Sequence, residues 1–342
     1  MNVTVAEARS LTTELLGRAG LSPARAEATA HVLTVAEAWG LGSHGLLRLP
    51  VYLDRIAAGG HPVDVDLRTV TDTGPLLTLD GQGGLGHWQL AEATSAAIDR
   101  TRRYGIAGVA VANSGHCGAL GVYAAEIARQ GLAGLVFSCG PAVLPPWGGA
   151  ERLLSTSPIA AGFPLPEGTT VVDLALSTVA RGKIAAHAQT DTPLPDGWAL
   201  DAEGEPTNDP QVALSGMLSP LGGAKGFALA FMVEALTAGL VGPLLSADVP
   251  DFFAADRRGD PQRIAHLVIA LDPARTDGNG DPAGAMSRLA DLAERTANAG
   301  GRVPGSRRTQ LAAIADTDEV PLDDALWDEL LARRGRPDHS QA

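Results

Sequence analysis

Two spacings of apolar positions recur along the chain. The helical period predicts helices over residues 5–19, 23–39, 87–103 and 119–130, and a further helical stretch that ends at Ile56. Short runs rich in Val, Leu, Ile and Ala predict strands at residues 76–79, 106–112, 132–138, 171–173, 183–188 and 264–271. Because strands and helices alternate, the pattern indicates the α/β class.

Helix boundaries are marked near the N-terminus. Thr4 followed by Glu7 is the pattern of a capping box, and Ser22 before Pro23 is a typical helix start. We therefore expect the first two helices to begin at these positions.

The stretch from Gly226 to Leu245 is unusually apolar. It spans 20 residues and contains one charged residue, Glu234. A membrane helix would have this length. However, the charge lies in the middle of the stretch, and Gly and Pro crowd its end. We therefore expect a buried core helix and no membrane span.

Composition and charge narrow the class of function. The 342 residues suggest about two domains. There are 26 Lys and Arg against 39 Asp and Glu, so the net charge is −13, which argues against nucleic-acid binding. Cys117 and Cys139 are too few for a disulfide framework, so we expect a cytoplasmic protein. The histidine spacings predict no metal site, and no G-x-S-x-G motif is present.

A glycine-rich segment, GQGGLG at residues 81–86, matches the dinucleotide-binding pattern G-x-G-x-x-G. The following strand ends near Asn113 without the acidic residue that would bind a ribose. Bulky residues also follow the glycines directly. We therefore interpret the segment as a turn. GGAKG at residues 222–226 lacks the G-K-[ST] ending of a phosphate loop.

Three groups of residues could carry chemistry. His116 follows a predicted strand and could act as a general base, or it could simply hydrogen-bond the backbone. His44, Arg48 and Tyr52 are each four residues apart, so a helix would place them on one face. On that face, His44 and Arg48 could bind a small carboxylate. The alternative is an ordinary solvent-exposed helix face, which has the same spacing. A third group could bind anions or merely cap local structure, and it comprises Asp173, Ser177, Arg181, Lys183 and Lys225.

Taken together, these segments resemble the malate/L-lactate dehydrogenase family, which is unrelated to the Rossmann-type lactate and malate dehydrogenases. Its members include ureidoglycolate and sulfolactate dehydrogenases, diketogulonate reductase, and piperideine/pyrroline-2-carboxylate reductases. The matching text covers nearly the whole chain. It includes SHGLLRLPVYLDRIAAGG (43–60), GQGGLGHWQLAEA (81–93), NSGHCGALGVYAAEIARQGLAGL (113–135), PPWGGAERLLSTSPIA (145–160), VVDLALSTVARGKI (171–184), LPDGWALDAEGEPTNDP (194–210) and PLGGAKGFALAFMVEAL (220–236).

The resemblance implies a non-Rossmann nicotinamide-binding fold with a mixed sheet, usually found as a homodimer. We expect residues 1–75 plus 286–342 to form a helical, substrate-side and dimerisation domain. Residues 76–285 would form the α/β nicotinamide-binding region. The cofactor would be NAD or NADP.

The resemblance also implies roles for individual residues. His116 corresponds to the proton acceptor, and His44 is assigned to catalysis beside it. Substrate-side residues are Ser43, Arg48, Tyr52 and Lys183. Expected cofactor contacts are Gly118, Gly140, Asp173, Leu174, Ala175, Lys225, Arg302, Pro304 and Gly305.

Three departures from the family pattern affect the cofactor side. Ser155-Thr156-Ser157-Pro158 stands where the family often has G-T-N-P, and Gly140 where it often has Ser. Arg302-Val303-Pro304-Gly305 is followed by Ser306 in place of the usual Glu. The last change leaves the choice between NAD and NADP open.

The expected reaction is hydride transfer between a nicotinamide and a small 2-hydroxy or 2-oxo acid, of the malate, lactate or sulfolactate type. His116 would accept the proton in oxidation and donate it in reduction. Reduction of a cyclic imine acid would use the same residues. A third alternative is a non-catalytic relative that keeps the fold.

Overall fold

A seven-stranded mixed sheet organises the chain in a computed structural model that describes residues 1–252 and 254–335. Its strands are β2 (Arg68–Asp72), β3 (Leu76–Asp80), β4 (Ile106–Ser114), β5 (Ala133–Ser138), β6 (Ile159–Leu165), β7 (Gly168–Leu174) and β11 (Ile264–Leu271). A second sheet joins β1 (Asn2–Thr4) to β12 (Glu319–Pro321). A third contains β8 (Ala199–Leu200), β9 (Pro206–Thr207) and β10 (Met217–Leu218).

Ten α-helices are seen within the described residues. They are α1 (Val5–Arg18), α2 (Pro23–Ala38), α3 (Leu49–Ala57), α4 (Gly86–Tyr104), α5 (Leu120–Arg129), α6 (Arg181–Gln189), α7 (Pro210–Ser215), α8 (Ala224–Glu234), α9 (Gly284–Asn298) and α10 (Asp324–Arg334). α1 begins with the expected capping box between Thr4 and Glu7. Ser22 is the N-cap residue of α2, but its side chain makes no capping hydrogen bond.

The order of the large sheet is β2-β3-β4-β11-β5-β6-β7. β3 and β4 are parallel, and every other neighbouring pair is antiparallel. β3, β4, β5 and β7 therefore run in the same direction. Their C-terminal ends meet at one edge of the sheet, and the loops that follow them form one surface.

The two ends of the described chain pack together. Val3 pairs with Val320 between β1 and β12. One apolar core combines residues from both ends, namely Val3, Leu16, Leu49, Tyr52, Val320, Leu326, Trp327 and Leu330. Each fully buried aliphatic side chain of this kind stabilises the fold by roughly 1.5–3 kcal/mol. This core holds α3 beside the sheet.

Most predicted elements are confirmed, and two predictions are wrong. Residues 183–188 belong to α6, because this Ala-rich segment favours a helix and Ile184 is its buried residue. The stretch after Gly226 is not a buried core helix. It consists of α8 and a π-helical turn (Ala235–Gly239), and it leaves Phe231 58% and Leu240 78% exposed.

Glu234 is buried at the end of α8 for a structural reason. Its carboxylate accepts hydrogen bonds from the Ser246 backbone N–H at 2.7 Å and from the Ser246 hydroxyl at 2.6 Å. This residue therefore fixes the loop that leads towards Phe252. Within the described residues, no helix has the length and apolar character needed to cross a membrane.

Candidate active site

The loop that carries His116 follows β4 at the common C-terminal edge of the sheet. The glycine segment 81–86 packs directly against this loop. A Cβ added at Gly86 would lie 2.0 Å from the Gly115 carbonyl oxygen, so only glycine permits this approach. The interpretation of GQGGLG as a turn is confirmed, and its role in the structure is to support the His116 loop.

Buried polar side chains fix the backbone of the same loop. Gln89 accepts a hydrogen bond from the Ser114 hydroxyl at 2.6 Å. His266 Nε2 lies 3.0 Å from the Gly115 carbonyl oxygen. The His116 backbone N–H donates to Gln262 Oε1 at 3.1 Å. Because these groups come from α4, β11 and the segment before β11, the His116 backbone is held from several sides.

The His116 side chain is held through Nδ1. The Tyr52 hydroxyl lies 2.7 Å from Nδ1, and the Gly118 backbone N–H donates to the same nitrogen at 3.2 Å. A backbone N–H can only donate, so Nδ1 is unprotonated in this arrangement and the neutral ring carries its proton on Nε2. Nε2 makes no hydrogen bond to the described residues, and His116 is partly exposed.

Ser43, His44 and Arg48 lie next to His116 on two short 3₁₀ turns (Gly42–His44 and Leu46–Arg48). A single helix would place His44, Arg48 and Tyr52 on one face, but the extended backbone of Gly45 separates the two turns. The His44 and His116 rings are stacked with centroids 6.0 Å apart. Ser43 supports both neighbours, because its hydroxyl lies 3.0 Å from His44 Nδ1 and its carbonyl accepts from Arg48 Nε at 2.7 Å.

Glu37 of α2 holds these turns in place. Its carboxylate accepts the Leu46 N–H at 2.9 Å. A Cβ at Gly45 would come 2.3 Å from Glu37 Oε2, so glycine allows the turn to close over the carboxylate. Burial raises the pKa of Glu37, although the hydrogen bond from Leu46 opposes this shift.

Phe252 packs against the residues of the site. Its ring centroid lies 5.2 Å from that of His116 and 5.5 Å from that of Tyr52. The guanidinium carbon of Arg48 lies 5.9 Å from the Phe252 ring centroid. Arg55, which is fully buried, donates to backbone carbonyls at Arg257 and Asp260 and so anchors the segment that follows Phe252.

The electrostatics of the site favour neutral imidazoles. Burial lowers the pKa of His116 well below 6.5. The charge of Arg48 lowers it further, as does protonation of neighbouring His44, His87 or His266. Burial and then Arg48 lower the pKa of His44 to about 4. His116 is therefore neutral at physiological pH, and a bound carboxylate would find Arg48 as a permanent positive charge beside it.

The predicted cofactor residues lie along the same edge of the sheet or beside β7. Gly140 is buried just after β5, and a Cβ there would have only Ser155 Cβ within 4.0 Å. This open space fits the approach of a flat cofactor ring. Asp173 lies 3.8 Å from the Arg308 guanidinium. Leu174 is exposed and Ala175 is partly exposed.

The remaining predicted residues lie at the surface. The Pro304 carbonyl accepts from the Thr170 hydroxyl at 2.7 Å, which ties residues 302–305 to β7. Gly305 has a φ of +77° and packs on Val171. Arg302, Lys183 of α6 and Lys225 in the first turn of α8 are exposed. None of the three makes a contact with His116 in the described residues.

Comparison with known proteins identifies the family. The family model described as malate/L-lactate dehydrogenase matches residues 3–331. The chain belongs to this family. The predictions of the family, of a mixed α/β fold and of an NAD(P)-dependent oxidoreductase are thereby confirmed.

Three relatives illustrate the range of the family. A (2R)-3-sulfolactate dehydrogenase (NADP(+)) from Chromohalobacter salexigens is 39% identical over 96% of this chain and 97% of its own. A Delta(1)-pyrroline-2-carboxylate/Delta(1)-piperideine-2-carboxylate reductase from Pseudomonas aeruginosa is 34% identical over 97% and 99%. The structure of a sulfolactate dehydrogenase from Methanocaldococcus jannaschii matches with a TM-score of 0.88 and 27% identity, over 97% and 96%.

Sequence reasoning found His116, His44, Ser43, Arg48 and Tyr52, and the structure brings all five together. It missed the residues that hold or cover them, namely Glu37, Gln89, Phe252, Gln262 and His266. Gln89 follows the glycine segment 81–86 and lies within the family-like stretch 81–93, which is a usable signal. The others come from distant parts of the chain, and no local pattern marks them.

Proposed function

We propose that the protein is an NAD(P)-dependent oxidoreductase that interconverts a small 2-hydroxy acid and the matching 2-oxo acid, with His116 moving the proton. The observation that carries this proposal is the fixed His116 ring, whose Nδ1 contacts Tyr52 and Gly118. The ring stacks on that of His44, and Arg48 is near enough for its charge to lower the pKa of His116. A proton-transfer group and a carboxylate-binding group thus lie side by side.

In this proposal, the substrate is bound by its carboxylate. Arg48 takes the carboxylate, because a guanidinium forms paired hydrogen bonds with it. Ser43 fixes Arg48 through its carbonyl oxygen and His44 through its hydroxyl. His44 orients the substrate oxygen, and Phe252, packed against His116, excludes water from the site. Lys183 would bind a more distant part of the substrate.

The proton moves at Nε2 of His116. In reduction, the ring first takes up a second proton at Nδ1. The resulting imidazolium donates its Nε2 proton to the forming alkoxide and is left as a neutral ring protonated on Nδ1. In oxidation, Nε2 accepts the hydroxyl proton, which requires that Nδ1 carries the other ring proton at that moment. Tyr52 serves both states, because its hydroxyl can donate to a bare Nδ1 and can accept from Nδ1–H.

The nicotinamide supplies or accepts the hydride when it is bound. We assign its contacts to Gly118, Gly140 and residues 173–175. Further contacts are assigned to Lys225, Arg302, Pro304 and Gly305. The open space beside Gly140 supports this assignment. NADP is the form named for the Chromohalobacter relative, and we propose it as the first form to test.

Reduction of a cyclic imine acid is the second candidate function. The similarity to the Pseudomonas aeruginosa reductase favours it. The imine nitrogen would then receive the proton in place of an oxygen, and the same Arg48 would bind the carboxylate.

We also propose a homodimer in the cytoplasm. The exposed side chains Leu229, Phe231, Met232 and Leu240 form an apolar surface on α8 and the turn after it, which a second copy of the chain would cover. Cys117 and Cys139 are free thiols, as expected in a reducing compartment. Residues 1–75 plus 286–342 would form the substrate-side and dimerisation domain and residues 76–285 the nicotinamide side, although 336–342 lie outside the described residues.

The test is an absorbance assay for reduced nicotinamide. NADH and NADPH are offered separately with pyruvate, oxaloacetate, sulfopyruvate and a cyclic imine acid. Oxidation with a 2-oxo acid is the expected result, and oxidation only with the imine acid would establish the second candidate. Silence across the panel without cofactor binding would contradict both and indicate a non-catalytic relative.

A further inference from the structure

His87, in the first turn of α4, lies behind the Tyr52–His116 pair. It is completely buried. Its ring stands edge to face with Tyr52 at a centroid distance of 4.7 Å and lies 6.3 Å from the His116 ring. A Cβ at Gly118 would come 2.9 Å from His87 Nε2. His87 therefore packs against both groups that reach Nδ1 of His116, namely the Tyr52 ring and the Gly118 backbone.

Both ring nitrogens of His87 lack a hydrogen-bond partner among the described residues. Burial, and to a smaller extent the nearby His61, His266 and His44, lower the pKa of His87 to about 3. The ring is therefore neutral, yet it has one donor and one acceptor that are buried and unsatisfied. Such atoms cost free energy that an aliphatic side chain of similar volume would avoid. Packing alone does not account for an imidazole here.

The position of Nε2 gives the imidazole a specific role. The Cα hydrogen of Gly118 that a Cβ would replace faces this nitrogen. A nitrogen lone pair can accept a weak C–H hydrogen bond there, whereas an aliphatic carbon cannot. Gly118 has a φ of +73°, so its backbone conformation is one that glycine adopts readily. The N–H of this same residue donates to His116.

We propose that His87 is a positioning residue, which holds the Tyr52 ring and the Gly118 backbone against Nδ1 of His116 and thereby keeps the neutral His116 proton on Nε2. This inference rests on the proposed role of His116 in proton transfer. It assigns a function to a residue that touches neither substrate nor cofactor.

The test compares three variants with the wild type. His87→Leu keeps the volume and removes both nitrogens, His87→Gln returns a polar atom near the position of Nε2, and His87→Asn returns one near Nδ1. We expect His87→Leu to melt at or above the wild-type Tm, because two unsatisfied polar atoms are removed. Its kcat for reduction should nevertheless fall about tenfold, since small misplacements of a reacting group are costly. KM should change less than kcat, and His87→Gln should recover more activity than His87→Asn.

A spectroscopic readout tests the proposal independently of turnover. Ring ¹⁵N chemical shifts in histidine-labelled protein report which nitrogen carries the proton, and the signals of His116 are assigned by their loss in His116→Asn. We expect the Nε2–H form in the wild type and a mixture of both tautomers in His87→Leu. If the wild type turns over none of the substrates, the proposed function fails, and this measurement still decides the role of His87.

Three results would overturn the inference. The first is an unchanged kcat and an unchanged tautomer in His87→Leu. The second is a fall in kcat that matches a loss of folded protein, with a lower Tm, which would make His87 merely structural. The third is equal activity of His87→Leu and His87→Gln, which would show that the ring nitrogens are irrelevant.

Discussion

The buried histidines should make the protein sensitive to mild acid. His61, His87 and His266 are at most 1% exposed, and burial lowers their pKa values to about 4, 3 and 4. In the unfolded chain, each would titrate near 6.5. The unfolded state therefore binds more protons below pH 6.5. Their contribution to stability is complete above that pH and is lost as the pH falls towards 4.

The size of this effect follows from proton linkage. Consider a histidine whose pKa is about 4 in the folded state and 6.5 in the unfolded chain. Between pH 7 and pH 5.5, its protonation lowers the free energy of unfolding by about 1.2 kcal/mol, so the three histidines together lower it by about 4 kcal/mol. This is a large share of a typical total of about 5–15 kcal/mol. Glu37, Glu92 and Asp173 have raised pKa values and act in the opposite sense, mainly at lower pH.

The assay is urea unfolding at pH 7.0 and pH 5.5 at constant ionic strength. His87→Gln serves as the matched variant because it cannot titrate at this position. We expect the wild type to lose at least about 4 kcal/mol between the two pH values, because His44 and His116 also have lowered pKa values and add to the loss. The variant should lose about 1.2 kcal/mol less than the wild type. Equal wild-type stability at both pH values would refute the reasoning, because it would mean that these rings are protonated in the folded state.

Three further predictions concern the site. Tyr52→Phe removes the hydroxyl that lies 2.7 Å from His116 Nδ1, so kcat should fall about tenfold. The control is Tyr104→Phe at a surface tyrosine, and its kcat should equal the wild-type value. Glu37→Ala leaves the buried Leu46 N–H without its acceptor, so KM for the acid should rise about tenfold and Tm should fall. The control is Glu27→Ala, at an exposed residue, and an unchanged KM in Glu37→Ala would contradict the role of Glu37. Because the pKa of His116 is depressed, kcat/KM for oxidation should be constant from pH 6 to 8, while kcat/KM for reduction should fall as the pH rises. A decrease of kcat/KM for oxidation on acidification, centred near pH 6.5, would instead show that the pKa of His116 is not lowered.

The sequence predicts a strand of the large sheet correctly wherever the strand is a continuous run of apolar, strand-favouring residues. Residues 264–271 read as a strand and form β11, and residues 106–112 lie within β4. His116 could be placed at a functional edge because the loop after a strand of an α/β sheet is a common binding position. The ordered motifs then made the family recognisable.

The failures arise where tertiary contacts decide the outcome. The apolar stretch after Gly226 was expected to be buried all round, but the described chain covers only one side of α8. His44 and Arg48 lie together despite the break at Gly45, because Glu37 of another helix holds the turn. Phe252 reaches His116 from more than 130 positions away in the sequence. No local periodicity contains this information.

The most direct test of the account compares the wild type with His116→Asn in two measurements on the same preparations. One is oxidation of NADPH or NADH with the best acid from the substrate panel, and the other is cofactor binding followed by nicotinamide fluorescence. The account predicts that the variant binds the cofactor as the wild type does but turns over at least about 100-fold more slowly. Turnover of the variant within a few-fold of the wild type would contradict the central role of His116.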